Sequence, residues 1–158
     1  MEIITQSPGE TQKLGQKIGS DLKSGKLKKR IICLYGDLGS GKTTFIQGLA
    51  KGLGIKKRIT SPTFVFVKQY KNLPSAEPCF SNKPDFYHVD LYRIEKFEET
   101  KGLGLEEIFS DPQAITAVEW AEKIKEMLPE KRIDIQFNYL NQNERKVIIR
   151  WSFISRYK

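Results

Sequence analysis

The eight residues Gly36-Asp37-Leu38-Gly39-Ser40-Gly41-Lys42-Thr43 fit the pattern G-x-x-x-x-G-K-[ST], which places a particular chemistry. Glycines at these spacings let a loop take backbone angles that residues with a Cβ resist. The loop can then turn its N–H groups inward around anionic oxygens. A helix beginning at the end of the loop adds roughly half a positive charge. In such a loop Lys42 reaches the β- and γ-phosphates of a nucleoside triphosphate, and the Thr43 hydroxyl holds Mg²⁺.

Phosphate chemistry also needs an acid near the metal and a group that positions the attacking water. Two acids close apolar runs: Asp90 follows Phe86-Tyr87-His88-Val89, and Glu119 follows Ala114-Ile115-Thr116-Ala117-Val118. In an open α/β sheet ligands lie beyond the carboxyl ends of the strands, so both are candidates. Glu119, after a run of small apolar residues, is the better match to the metal acid. A solvated acid at a strand end is the plainer alternative for each. His88 shares a strand face with Asp90; as the lone histidine it reads as a packed or hydrogen-bonded residue rather than a catalyst. Ser61-Pro62-Thr63 stands where a loop sensing the γ-phosphate would sit, and it is equally a simple turn, since Ser-Pro starts turns unaided. Asn82-Lys83-Pro84-Asp85 fits N-K-x-D, a guanine-reading signature. It falls in a proline-rich stretch before the Asp90 strand, with no D-x-x-G between Thr43 and Asn82, and is read as coincidence.

The elements that must position these groups follow from periodicity. Ile31-Ile32-Cys33-Leu34-Tyr35 reads as a buried strand leading into the loop, and Thr44 to about Leu53 as the helix leaving it, stopped by Gly54. Leu14, Ile18 and Leu22 recur at helical spacing, giving a helix from Glu10 to Ser24 after a Ser7-Pro8-Gly9 turn. Ile3-Ile4 reads as an edge strand. Phe64 to Tyr70 and Phe86 to Leu91 read as two strands of a hairpin, separated by an Asn72–Pro84 excursion. Short helices are expected over Ile94 to Leu103, Leu105 to Phe109 and Ala121 to Leu128, the last stopped by Pro129. Arg132 to Tyr139 and Arg145 to Phe153 alternate apolar with polar residues and read as a C-terminal hairpin. The expected architecture is one three-layer α/β domain over residues 1–158. Its mixed sheet is partly parallel near the loop and antiparallel at the C-terminal hairpin.

A chain of 158 residues can bury a core without staples. No stretch approaches the apolar length of a membrane span, and Met1 to Gln6 has no basic-then-apolar signal pattern. Two cysteines, Cys33 and Cys79, form no metal spacing. Cys33 reads as a small core residue, and a reduced, cytoplasmic protein is expected. The formal net charge is +8, with basic clusters at Lys26-Leu27-Lys28-Lys29-Arg30 and Lys56-Lys57-Arg58. Without interleaved aromatics these read as solvated loop ends rather than a nucleic-acid surface.

Gly36 to Thr44, Ser61-Pro62-Thr63-Phe64, His88-Val89-Asp90-Leu91-Tyr92-Arg93 and Val118-Glu119-Trp120 together resemble, in this order, the TsaE (YjeE) family of bacterial ATPases. That family serves tRNA threonylcarbamoyladenosine (t6A) synthesis. The resemblance runs from about Glu10 to Leu128. The loop is common to many families, whereas the H-x-D-L-Y-R and V-E-W pair is specific. The resemblance implies a P-loop NTPase fold with a mixed sheet, ATP and Mg²⁺ bound at residues 36–44, and weak hydrolysis. It further implies association with the TsaD and TsaB proteins, which modify adenosine 37 of tRNA. It assigns Ser61, Pro62 and Thr63 to a switch loop, Asp90 and Glu119 to the acids, and Trp120 to packing on that loop. Thr11 falls near the base. The Asn72–Pro84 excursion and Ser152–Lys158 receive no role.

The expected mechanism is an ATP-driven switch, with Lys42, Asp90 and Glu119 as the catalytic set and tRNA engaged only through the complex. No arginine stands out as a finger acting in cis, so turnover by the chain alone should be slow. One rival is a small-molecule phosphotransferase of the nucleoside-kinase kind. It needs an acceptor pocket and an arginine-bearing lid, and no arginine cluster follows Glu119. The other rival is a basic RNA-binding module, supported by the net charge.

Overall fold

The computed structural model describes residues 1–71 and 84–151. Residues 72–83 of the proline-rich excursion, the first two residues of the Asn82–Asp85 match, Cys79 and Ser152–Lys158 lie outside the described residues.

Among the described residues seven strands form one sheet. They are β1 (Glu2–Thr5), β2 (Ile31–Tyr35), β3 (Val67–Tyr70), β4 (Phe86–Asp90), β5 (Ile115–Glu119), β6 (Ile133–Tyr139) and β7 (Arg145–Trp151), in the order β1-β7-β6-β2-β5-β4-β3. β2 pairs in parallel with both β5 and β6, and β4 with β5. The β6–β7, β1–β7 and β3–β4 pairs are antiparallel. The mixed sheet, the two hairpins and the β1 edge strand are those the periodicity predicts. β2 reads as a continuous apolar run because helical elements cover it on both faces. β6 alternates because only its Ile133, Ile135 and Phe137 face is buried.

On one face lie α1 (Pro8–Lys23) and α2 (Lys42–Leu53), burying Ile18, Leu22, Phe45, Ile46 and Leu49 against Ile32, Leu34 and Ile135. On the other lie α3 (Leu105–Ser110) and two 3₁₀ segments, Phe97–Thr100 and Ala121–Met127. There Leu105, Ala121 and Ile124 pack on Ile31, Cys33, Val89 and Val118. Burial pushes the Cys33 thiol up to about 12, helped by the Asp134 carboxylate, so it behaves as an apolar core residue.

Four expected elements are corrected. Ser7-Pro8-Gly9 is no separate turn. Ser7 is the N-cap, its hydroxyl accepting from the Glu10 N–H at 3.2 Å, and Pro8 opens α1 because its fixed φ suits the first helical position. Phe64–Phe66 is not strand. Val65 and Phe66 N–H donate to the Pro62 carbonyl at 2.9 and 2.6 Å, and Phe66 has φ +60°, so the chain turns before β3 begins at Val67. Two expected helices are 3₁₀ segments: 97–100 is all that forms between Ile94 and Leu103, and 121–127 breaks at Ile124 (φ −126°).

The helices α1 and α2 approach closely through four glycines. A Cβ on Gly15, Gly19, Gly48 or Gly52 would stand 2.1, 2.2, 1.9 or 2.1 Å from a carbonyl oxygen of the facing helix. This contact fixes the start of α2, and with it Lys42 and Thr43, against the body of the protein.

Candidate functional site

The glycine loop leaves β2 at Tyr35 and enters α2 at Lys42. Two positions demand glycine. Gly36 has φ +133°, and a Cβ there would lie 2.4 Å from the Phe137 carbonyl oxygen. Gly41 caps α2 with φ +103°, a left-handed conformation costly for any other residue. Their geometry turns the loop over the helix start, where unpaired N–H groups gather.

Lys42 is only 4% exposed. Its ammonium donates to the Gly36 and Asp37 carbonyls at 2.5 and 2.9 Å and lies 4.0 Å from the Trp120 ring centroid. Burial lowers its pKa from the ordinary lysine value; the Glu119, Glu122, Asp90 and Asp37 carboxylates oppose that shift.

The two acids meet because β4 and β5 run parallel with Asp90 opposite Glu119. Both are buried, at 3% exposed. The Thr43 hydroxyl, one residue into α2, lies 3.0 Å from each oxygen of Glu119. Asp90 takes hydrogen bonds from Ser61 and Thr63 on Oδ2, the latter at 2.8 Å, and from the Tyr92 N–H on Oδ1 at 2.9 Å. The segment 61–63 therefore leads into a turn closed on the Pro62 carbonyl by Val65 and Phe66, and is also tied to an acid of the site. Trp120 has φ +61° and its N–H donates to Leu34; its ring lies 5.3 Å from that of Tyr92.

A cavity of about 320 Å³ joins these groups. Leu38, Gly39, Ser40, Gly41, Lys42, Thr43 and Thr44 line it from the loop; Ser61, Thr63, Asp90, Glu119 and Trp120 line it from the strand ends. Gly36, Asp37 and Pro62 shape the cluster through their carbonyls without lining it. Thr11 lies behind the loop. It is buried, its hydroxyl 2.8 Å from that of Thr5, and its methyl group packs toward Gly41. Larger hollows of about 660 and 800 Å³, beside Arg58 and Lys131, bring no hydroxyl and carboxylate to one point.

Two contributions were not read from the sequence: the partner of His88, and Arg145 altogether. His88 is fully buried with Nε2 2.8 Å from Glu119 Oε1, so the hydrogen-bonded reading holds and the partner is the candidate metal acid. Arg145, on β7, donates to the Ser40 and Gly39 carbonyls at 3.1 and 3.2 Å and braces the loop from behind. Nothing in the local sequence marks Arg145; its reach depends on β7 lying beside β6, next to the loop strand.

The donor set suits one kind of guest. Among the described residues no cluster of three or more His, Cys, Asp or Glu could hold a metal ion. Thr43 and Glu119 alone are too few to bind one firmly. Magnesium held by one or two protein oxygens and completed by phosphate oxygens and water fits this pair. The glycine loop and Lys42 fit the phosphates.

Comparison with known proteins gives one consistent result. A family model, "Threonylcarbamoyl adenosine biosynthesis protein TsaE", matches residues 5–147. A Bacillus subtilis protein named tRNA threonylcarbamoyladenosine biosynthesis protein TsaE is 38% identical over 145 residues, covering 90% of this chain and 80% of its own. An Aquifex aeolicus protein of the same name is 35% identical over 150 residues, covering 94% of each. The crystal structure of Bacillus subtilis YdiB superposes with a TM-score of 0.70 at 31% identity, covering 97% of this chain and 86% of that one.

Proposed function

The chain belongs to the TsaE family of threonylcarbamoyl adenosine biosynthesis proteins, and we propose that it serves t6A formation on tRNA as a Mg²⁺-dependent, slowly hydrolysing ATP switch acting on the TsaD–TsaB pair. The observation that carries this reading is the convergence of Thr43, Glu119 and the Ser61–Thr63–Asp90 cluster beside the buried Lys42.

In this reading the loop N–H groups and Lys42 bind the phosphates, and Thr43 with Glu119 holds the metal. Bound Mg²⁺ neutralises charge on the phosphate oxygens and favours attack by water. Asp90 orients that water or supports the metal at one remove, while its bonds to Ser61 and Thr63 pass the state of the site to the loop at 61–66. Thr11, buried behind the loop, is the residue this reading assigns to the nucleoside end. Slow turnover is consistent with the lining of the cavity, which among the described residues includes no arginine; Arg145 is engaged with loop carbonyls. Leu38, which lines the cavity (72% exposed), and Phe64 (79%) and Val65, which follow the lining residue Thr63 in the chain, expose apolar side chains. Such exposure suits docking by a protein partner, with tRNA engaged through the assembled complex in the cytoplasm. No helix among the described residues is long and apolar enough to cross a membrane.

Phosphate release and binding of a fluorescent ATP analogue, with and without the TsaD–TsaB pair, test the proposal. The chain alone should turn over on the order of 10⁻⁴ to 10⁻² per second and faster with the pair. Lys42→Ala should lose binding, whereas Glu119→Ala should keep most binding and lose metal-dependent hydrolysis. Turnover of many per second by the chain alone would overturn the switch reading, and equal loss of binding and hydrolysis in Glu119→Ala would remove Glu119 from the metal.

A further inference from the structure

The two acids of the site are held differently. Asp90 is bonded on both oxygens by groups of its own neighbourhood. Glu119 meets the Thr43 hydroxyl at 3.0 Å from Oε1 and 3.0 Å from Oε2. A donor that straddles both oxygens fixes distance and leaves the two oxygens equivalent. His88 breaks that equivalence, because its Nε2 lies 2.8 Å from Oε1.

The strand register makes this contact. His88 stands opposite Ala117 and Asp90 opposite Glu119. His88 and Glu119 are therefore diagonal neighbours on one sheet face, a separation that two long side chains close. The Ala117 methyl leaves the space between them clear. His88 Nδ1 is buried with no hydrogen-bond partner. A proton on Nδ1 would be an orphan donor, so the ring proton belongs on Nε2 and is donated to Glu119. The only polar bond of this fully buried ring goes to the acid. A phenylalanine or leucine would occupy the strand position without burying polar atoms.

We infer that His88 is a positioning residue: by donating to Oε1 it orients the Glu119 carboxylate and leaves Oε2, beside Thr43, as the oxygen for the cation. The inference rests on Glu119 being the magnesium acid, as proposed above. His88 itself touches neither metal nor nucleotide.

The test compares wild type, His88→Phe (a ring without a donor) and His88→Gln (an amide N–H with similar reach). Fluorescent ADP is titrated in EDTA and then with rising Mg²⁺; Mn²⁺ binding to the ADP complex is read directly by electron paramagnetic resonance, and Tm is recorded. Affinity in EDTA should agree within about twofold across the three. The Mg²⁺ needed for half-effect should rise about 10- to 100-fold in His88→Phe, as for loss of other hydrogen bonds behind metal ligands. It should stay within about threefold of wild type in His88→Gln, and Mn²⁺ should follow the same order. His88→Leu repeats the donor-free arm should the phenylalanine variant not fold. Wild-type Mg²⁺ dependence in the donor-free variants overturns the inference. So does a glutamine variant as impaired as they are at unchanged Tm. A wild-type chain that binds no nucleotide overturns the reading of the whole site, and this inference with it.

Discussion

Lys42 sets function against stability at a single residue. The fold buries an ammonium group, and burial lowers its pKa despite four nearby carboxylates. A lowered lysine pKa means that the unfolded chain holds the proton more tightly. Stability therefore rises with pH from the lowered value up to the ordinary 10.5. At neutral pH the charge is a cost carried by the ligand-free protein. Lys42→Met should accordingly leave the nucleotide-free Tm unchanged or raise it by a few degrees, flatten the pH dependence in that alkaline window, and abolish stabilisation by nucleotide. Thermal unfolding at pH 7 and across the alkaline range checks all three. Lys42, Thr43, Asp90 and Glu119 were legible in the sequence as candidates because a spaced motif and two strand-end acids announce themselves. The bonds from Ser61 and Thr63 to Asp90, and from His88 to Glu119, were not, because they depend on loop path and strand register. Arg145 was invisible for the same reason on a larger scale.

The glycine contact between α1 and α2 decides a sign at the level of elements. Replacing a helical glycine by alanine gains about 1 kcal/mol of helix propensity when the new methyl is free. At Gly48 that methyl would sit 1.9 Å from the Gln12 carbonyl oxygen, and backbone cannot move aside cheaply. Overpacking of this kind costs about 3 kcal/mol, so the clash wins. The net loss of about 2 kcal/mol means that Gly48→Ala should lower Tm by roughly 4–8 °C and weaken nucleotide binding through the displaced start of α2. Gly9→Ala, where the nearest atom is Ser7 Oγ at 3.7 Å, should be neutral or slightly stabilising. Equal Tm changes in the two would show that the helices can part without cost. Helical spacing at Leu14, Ile18 and Leu22 revealed α1, but it carries no information about which polar-face residues meet another helix. The glycines, weak helix formers by intrinsic propensity, are the contact itself. The 3₁₀ segments were misread as helices for a related reason: a few buried anchors such as Ala121 and Ile124 suffice to hold them, and no full apolar stripe is present to distinguish the two.

Across the whole molecule the site is a meeting point of distant chain segments. The glycine loop, the turn at 61–63, the ends of β4 and β5, and Arg145 on β7 come together only in the folded sheet. The parallel half of the sheet supplies both acids, and Arg145 on the antiparallel β7 braces the loop. The parallel character of the sheet near the loop was legible because β2 and β5 are largely apolar runs, and so was the β6–β7 hairpin; that β6 pairs with β2 and β1 with β7 was not, since alternation fixes a buried face and not a neighbour. A ligand that bridges such segments binds the folded chain alone, and its binding energy appears as stability. At a hundredfold excess over its dissociation constant it adds about 2.7 kcal/mol, a Tm rise of roughly 5–10 °C for a chain of this size. The metal should not do this unaided, because Thr43 and Glu119 complete no cation site without phosphate oxygens. Mg²⁺ with ADP or ATP should therefore give the full rise, Mg²⁺ alone less than about 1 °C, and nucleotide in EDTA an intermediate value. Differential scanning fluorimetry separates the three. A full rise with Mg²⁺ alone would mean that the protein holds the metal by itself, and the shared site argued from Thr43 and Glu119 would be wrong.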